Sequence, residues 1–312
     1  GNFSVVEDNS AMFNFHSVAS SGEGGHIDLT VVKALTATQA ATDNSNNPGL
    51  GAAGIIDSLV DNGTSNPDMQ NVLTELGKLQ TSQQLSQAMT ILSPPTNSSA
   101  ATQGAMGNTN SVVQSQVEGQ YGRSGGDNTM ADKRAWVKPF GSIARQDDRD
   151  GVSGYESHSY GFVAGADATV GNLGRLGVAF AYSQANIDGN STVAHNSATV
   201  DSYQLVSYGS RSLNDNTDLS FQADIGLHNT HGDRQISIGA INRVAQADYH
   251  SWSAHLGAGL ARSYAMSAKT TLTPSIRADY TVLQDKGYTE TGADAVNLIV
   301  DGKRTEEMLL SL

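Results

Sequence analysis

Residues 175–183 read Arg-Leu-Gly-Val-Ala-Phe-Ala-Tyr-Ser. In an extended strand Leu176, Val178, Phe180 and Tyr182 share one face, while Gly177, Ala179, Ala181 and Ser183 share the other. The first face is greasy and ends in an aromatic; the second is small and polar. A soluble sandwich core shows such a strand once. Repeated, with tiny residues opposite large ones, the pattern describes strands with lipid outside and a lumen inside.

The pattern repeats. Tyr160, Phe162, Ala164, Ala166 and Ala168 alternate with Gly161, Val163, Gly165, Asp167 and Thr169. Leu219, Phe221, Ala223, Ile225 and Leu227 alternate with Ser220, Gln222, Asp224, Gly226 and His228. Trp252, Ala254, Leu256, Ala258 and Leu260 alternate with Ser253, His255, Gly257, Gly259 and Ala261, and Ile276, Ala278 and Tyr280 with Ser275, Arg277 and Asp279. Period two held over about ten residues is the strand signature and matches the length of a tilted span. Tyr160, Tyr182, Trp252, Tyr264 and Tyr280 sit near the ends of these faces, where interfacial girdles belong. The lipid-facing set is therefore Phe162, Leu176, Val178, Phe180, Tyr182, Phe221, Ile225, Trp252, Leu256 and Ile276. The lumen-facing charges are Asp167, Asp224, Arg277 and Asp279. Around residues 200–209 the faces read as mixed, Pro274 falls within a strand, and the run at 136–141 is too short to assign a face.

Composition narrows the classes. A net charge of −13 leaves no basic stripe for phosphates and argues against nucleic-acid binding. No run of about 18 apolar residues exists, so no transmembrane helix is expected. A mean hydropathy of −0.32 is compatible with a barrel, where only alternate strand residues meet lipid. The absence of cysteine suits a chain that crosses an oxidising compartment unfolded. The chain opens at Gly1-Asn-Phe3 and ends at Leu309-Leu-Ser-Leu312, each in mid-pattern, which reads as a piece of something longer at both ends.

Upstream of the strands the character changes. Phe13 and Phe15, then Ile27, Leu29 and Val31, alternate with polar residues across a Ser-Gly turn. Three helical stripes follow: Leu50 to Val60, Met69 to Leu79 and Leu85 to Leu92, broken by Asp61-Asn-Gly63, Asn66-Pro-Asp68 and Ser93-Pro-Pro95. Residues 96–110 read as a linker of Asn, Ser, Thr, Gly and Ala, and residues 111–121 as a polar, weakly amphipathic helix.

From Trp136 onward, connections alternate in length. Those at 144–159, 186–199, 229–248 and 284–295 are long; those at 171–174, 214–218 and 267–269 are short. Outer-membrane barrels have short periplasmic turns and long extracellular loops. The first strand then starts in the periplasm. If residues 1–93 lie outside, the chain crosses between Pro95 and Trp136, and the lipid-free route is the lumen. The helix at 111–121 is its natural occupant, through Val112, Val113, Gln116, Val117, Glu118 and Gln120.

This order resembles the C-terminal half of a classical (type Va) autotransporter. The matching pieces are the β run around Phe13 to Val32, the Ala- and Leu-rich segment closing at Leu92-Ser-Pro94, the polar helix, Trp136-Val-Lys-Pro-Phe-Gly-Ser142, Arg149-Asp-Gly-Val-Ser-Gly-Tyr155, Tyr160-Gly-Phe-Val-Ala-Gly165 and Asp201-Ser-Tyr-Gln-Leu205. The resemblance implies a mostly β protein, a transmembrane antiparallel β-barrel of twelve strands with a lumenal helix. About eight strands are present, a ninth begins near Met308, and the closing strands are missing. It implies the end of a right-handed β-helical passenger over 1–35, a helical connecting segment over 36–98, a linker with the lumenal helix over 99–130 and the barrel over 131–312. It also implies an outer-membrane translocator that exports and anchors its own passenger at the cell surface, with no cofactor. The implied partners are outer-membrane lipid, the barrel-assembly machinery and periplasmic chaperones. Some members of the family cut the lumenal helix at an Asn-Asn bond; the nearest match is Asn108-Thr-Asn110.

Other readings weigh less. The eight histidines are scattered, and His228 and His231 fall on opposite strand faces, so neither catalysis nor zinc binding is expected. Asp147, Asp148 and Asp150 lack calcium-loop spacing, and no glycine pair opens a phosphate-binding helix. A soluble all-β adhesin or binding module is the alternative; an ordinary porin does not account for the upstream segments.

Overall fold

The Ala- and Leu-rich segment folds as four short helices, three of them started by a side-chain cap. The computed structural model describes residues 9–19, 27–95, 97–118, 133–149, 152–267 and 270–312. A hairpin of β1 (Phe13–Ala19) and β2 (Ile27–Lys33) comes first. Helix α1 (Ala37–Asp43) is capped by Thr36, and Asp57 accepts from the N–H groups of Ala37 and Thr38. Helix α2 (Leu50–Asn62) follows; α3 (Pro67–Gly77) has Asn66 as its cap and proline at its first position. Helix α4 (Ser82–Ile91) starts with a capping box between Thr81 and Gln84. Ile56, Val72, Leu76, Leu85 and Met89 from these helices share one buried core with Ile236, Ile238, Ile241 and Val296 from the β-domain.

One long helix, α5 (Asn97–Glu118), leads to the strands. These are β3 (Lys133–Gln146), β4 (Tyr155–Thr169), β5 (Arg175–Gly189), β6 (Asn196–Asn214), β7 (Thr217–Ile238) and β8 (Ile241–Arg262). A small pair, β9 (Tyr264–Ser267) and β10 (Thr270–Leu272), precedes β11 (Ser275–Asp285). A second small pair, β12 (Tyr288–Thr289) and β13 (Ile299–Val300), precedes β14 (Lys303–Ser311). Eight strands form one antiparallel sheet in the order β14-β11-β8-β7-β6-β5-β4-β3. Apart from the small pairs, every neighbour follows its partner in sequence, an up-and-down meander.

The sheet curls around α5. That helix packs against β3, β4, β5, β6 and β7, and Ser99 donates to Asp285 of β11. Within one turn of α5, Asn108 reaches Ser142 of β3 and Asn110 reaches Gln222 of β7. Flat strands spaced at about 4.8 Å would set β3 and β7 roughly 19 Å apart, whereas these two helix positions are separated by about 3 Å along the axis of a helix about 10–12 Å across, so contact with both requires curvature.

Several sequence expectations are corrected. β1 and β2 pair antiparallel, Phe13 opposite Lys33, rather than as the parallel rungs of a β-helix. The interval between them is too short for a parallel crossover. Of the expected linker at 96–110, residues 97–110 are helical and continuous with residues 111–118 of the helix expected at 111–121; residues 96 and 119–121 lie outside the described residues. Weak local propensity is overridden there by the surrounding wall. Most of the long connection at 229–248 is strand, because β7 and β8 stay paired to a two-residue turn at Gly239 and Ala240. Gly239 has φ +55°, which suits the first central position of a type II′ hairpin turn. Residues 186–189 and 196–199 likewise extend β5 and β6. Pro274 lies between β10 and β11, where its carbonyl accepts from the Arg262 N–H. The last strand starts at Lys303 instead of near Met308, so the sheet has eight strands and no ninth among the described residues.

Candidate functional site: the lumenal face and its helix

Alternation sorts the strands into two faces. On the outer face, exposure runs from 38% at Phe221 and 39% at Phe162 to 63% at Ile225 and Leu256. Val178, Phe180, Trp252 and Ile276 lie within that range, and Leu176 and Tyr182 are half-buried by outer-face neighbours. Phe162, Phe180, Tyr182 and Tyr203 form a run of tilted ring contacts there, the closest with centroids 5.3 Å apart. Leu219 to Leu227 on β7 covers about 26 Å of strand, which a tilt of about 40° reduces to some 20 Å, close to an outer-membrane apolar band.

The inner face is polar and covered by α5. Val113 and Val117 of the helix are buried against Val163, Ala179, Ala181, Val206 and Tyr208, with Val112 packed at the edge. Gln116 reaches Asp167 at 3.5 Å. Gln120 lies outside the described residues, as does the side chain of Glu118. Farther up the helix, Asn110 accepts from the Gln222 Nε2 at 2.8 Å, and Asn108 donates to the Ser142 hydroxyl at 2.5 Å. Ala105 packs with Tyr155, Ala185, Ile187 and Val200.

The inner charges form two networks. Asp167, with no exposed side-chain surface, faces the guanidinium groups of Arg134 at 3.3 Å and Arg175 at 3.1 Å. The Tyr208 hydroxyl donates to it at 3.1 Å and accepts from the Trp136 indole at 2.7 Å. In the second network, His255 lies between Asp224 (2.7 Å) and Asp279 (2.9 Å), and Arg277 donates to Asp279. Gln222 joins Asp224 to Asn110 of the helix. Each buried carboxylate thus has hydrogen-bond partners on the inner face, which offsets part of the cost of removing it from water.

The four lumen-facing charges identified from sequence thus lie on the inner face, Asp167 in one network and Asp224, Arg277 and Asp279 in the other. Sequence reasoning missed Tyr208, Trp136 and Gln204. Extending the period from Gln222 and Asp224 across to their β6 partners Tyr208 and Val206 would have assigned Ser202, Gln204, Val206 and Tyr208 to the inner face. Their burial resolves the mixed reading of 200–209. His228 is wholly buried between the hydroxyls of Ser202 and Ser253, and His231 points outward to Asp248.

The polarity of the helix fixes its direction. Its Asn97 end lies by Asp285, next to the long connections, and its Val117 end lies by β4 to β6 near the short turns. Above the long-connection end, Arg243 of β8 grips Asp68 of α3 through two hydrogen bonds, at 2.7 and 2.5 Å. That guanidinium, with the Ala295 N–H, lowers the Asp68 carboxyl to about 2.

Known proteins resemble this chain. An Autotransporter beta-domain family model matches residues 135–312. Outer membrane protein B of Rickettsia prowazekii is 24% identical over 192 residues, covering 59% of this chain and 12% of that protein. Outer membrane protein A of Rickettsia rickettsii is 31% identical over 193 residues, 58% of this chain and 8% of that protein. An extracellular serine protease of Serratia marcescens is 32% identical over 96 residues, 31% of this chain and 9% of that protein. The chain therefore spans about a tenth of the length of these relatives. The solved translocator domain of the autotransporter NalP from Neisseria meningitidis superposes with a TM-score of 0.54 at 14% identity, over 67% of this chain and 68% of that one, a likeness of fold. With a matching β-domain over more than half its length and a sheet curled around a lumenal helix, the chain belongs to the autotransporter family, as an outer-membrane translocator domain.

Proposed function

We propose that residues 131–312 anchor this chain in the outer membrane and export the segments before them. Residues 99–130 remain in the lumen, residues 36–98 connect, and residues 1–35 end the exported passenger at the cell surface. The observation that carries this reading is the direction of α5. It enters the lumen from the long-connection end, beside Asp285, and leaves its C-terminal half among β4, β5 and β6 near the short turns. A chain threaded this way has its N-terminal part outside. The outer belt of exposed Phe, Leu, Ile and Trp supports a lipid boundary, since a soluble adhesin would leave that belt in water.

The chain has no catalytic role in this reading. Export draws on refolding of the passenger outside, which keeps exported chain from sliding back. The barrel-assembly machinery would insert the strands, and periplasmic chaperones would hold the chain before insertion. Because the chain has no cysteine, one engineered pair tests the threading. Asn110→Cys with Gln222→Cys, whose parent side chains meet end to end in a hydrogen bond, should be joined in outer membranes by a short bismaleimide that spans the space those side chains filled. Asn110→Cys with Phe221→Cys, one residue along and on the outer face, should not. Equal cross-linking of both pairs, or of neither, would refute a lumenal α5.

A further inference from the structure

The two faces of the β7–β8 hairpin exchange character along their length. From Leu219 to Leu227 the outer face of β7 is apolar and the inner face is polar. Beyond the Leu227–Trp252 pair the outer row becomes Asn229, His231, Asp233, Gln235 and Ser237, and the inner row ends in Arg234, Ile236 and Ile238. β8 does the same on its inner row, passing from Ser253 and Ser251 to Ala247, Ala245 and Ile241. Val244 is an apolar exception on its outer row. The reversal begins where the apolar outer belt stops. About 30 Å of β7 lies beyond it, at about 3.3 Å per residue. A surface that is apolar only toward the lumen axis, and only above the bilayer, is shaped to be covered from above the mouth.

What covers it belongs to the same chain. Ile236, Ile238, Ile241 and Ala245 are buried in a common core with α1 to α4, together with Ala194 from the β5–β6 connection and Val296 from the β11–β14 connection. Polar clasps reinforce the apolar contact. Arg243 holds Asp68, which also accepts from the Ala295 N–H. Glu75 accepts from the Ala240 N–H at the hairpin turn. Arg234, bound by the Glu290 carboxylate, donates to the last-turn carbonyl of Ile91 in α4 at 2.6 Å. Pro48 and Thr90 of the helices share a crevice with Val152 and Ser153 of the β3–β4 connection. The helices thus pack on three of the long connections and share a crevice with the fourth, at the end of the sheet where α5 begins.

We propose that α1–α4 are a lid on the extracellular mouth, a second closure stacked above α5 and clasped to the β7–β8 extension. The proposal rests on the outward orientation argued under the proposed function. It predicts that opening the lid exposes the first turns of α5 to reagents from outside while α5 stays in place.

Arg243→Asp tests it by setting a third carboxylate against Asp68 and Asp294, which lie 2.5 and 3.8 Å from the Arg243 side chain. Asp68→Arg combined with Arg243→Asp restores the pair with its charges reversed. Ile236→Asp with Ile238→Asp attacks the apolar seat independently. Each full-length protein, carrying Ser99→Cys at the start of α5, is purified in its heat-modifiable form, reconstituted in liposomes, and assayed for proteinase K cutting within residues 36–93 and for the rate at which a membrane-impermeant maleimide labels that cysteine. Loss of the clasp should raise the open-lid population, and with it the labelling rate, roughly tenfold, the response to a tenfold weaker contact. The reversed pair should return both readouts toward the wild type. Helices that become digestible without faster labelling would overturn the lid, as would helices that stay resistant in both Arg243→Asp and the Ile236/Ile238 variant. Failure of the translocator reading would look different: wild-type protein without heat-modifiable migration and without an accessible N-terminal epitope.

Discussion

Asp167→Ala should be among the most damaging single substitutions on the inner face. Its carboxylate has no exposed surface and lies between two guanidinium groups, 3.1 Å from Arg175 and 3.3 Å from Arg134. It also accepts from the Tyr208 hydroxyl and from Gln116 of α5. Deleting one partner of a buried ion pair costs about 3–5 kcal/mol, because the remaining charge stays desolvated. Arg134 is about one-third exposed and can relax toward water, which places the expected loss near the lower figure, about 3 kcal/mol. With a urea slope of about 3 kcal/mol per M, the upper end for soluble domains, the unfolding midpoint should fall by about 1 M. The assay is urea titration in lipid vesicles, followed by gel mobility without heating. Asp188→Ala is the control: its side chain is exposed on the same strand system, and its effect should stay within about 0.5 kcal/mol. Adding Arg175→Ala to Asp167→Ala should recover part of the loss, since the pair is coupled. If Asp167→Ala is no worse than Asp188→Ala, Asp167 does not sit in a closed interior and the lumenal network is wrong.

Two further outcomes follow from the same geometry. Leu256→Arg, on the outer face within the apolar belt, should cost about 2–4 kcal/mol in the same titration, whereas Asn229→Arg, beyond the belt, should cost about 0–1 kcal/mol; equal costs would remove the bilayer from the description. For pH, the Asp68 carboxyl is held near 2 by the Arg243 hydrogen bonds, below its ordinary 3.8. A lowered carboxyl contributes stability that is complete above about 4 and is lost as the pH falls toward 2. With a quarter of the side chain exposed, the contribution is on the order of 1 kcal/mol. Pepsin cutting of α1–α4 should therefore rise between pH 4 and 2 more steeply in the wild type than in Asp68→Asn; parallel curves would show that the clasp contributes nothing.

The strands were legible in sequence because lipid and lumen impose opposite demands on alternate residues. Leu176, Val178 and Phe180 against Gly177, Ala179 and Ala181 encode a face without reference to any partner. Helices α2, α3 and α4 were legible through their stripes and breakers, Asn66-Pro67 and Pro94-Pro95 above all. The first half of α5 was not, since Ala, Ser, Thr, Gly and Asn at residues 97–110 give no stripe; what makes them helical is the wall around them. The upper halves of β7 and β8 were read as loop because their outer rows turn polar at Asn229 and His250, and outside lipid that row no longer marks a strand. Tyr208 escaped because the faces around residues 200–209 read as mixed, an aromatic on one row with Gln204 and Val206; it points inward to Asp167 and Trp136. The antiparallel pairing of β1 with β2 depended on a turn length that alternation alone does not reveal.

The central claim is that the segment before the sheet lies outside the cell while the sheet spans the membrane. An epitope placed at the N-terminus of the full-length protein, probed on intact cells alongside gel migration with and without heating, tests both halves together. The account predicts antibody binding without permeabilisation and a band that shifts on boiling. An epitope reached only after permeabilisation, or a band that migrates identically with and without heat, would contradict it.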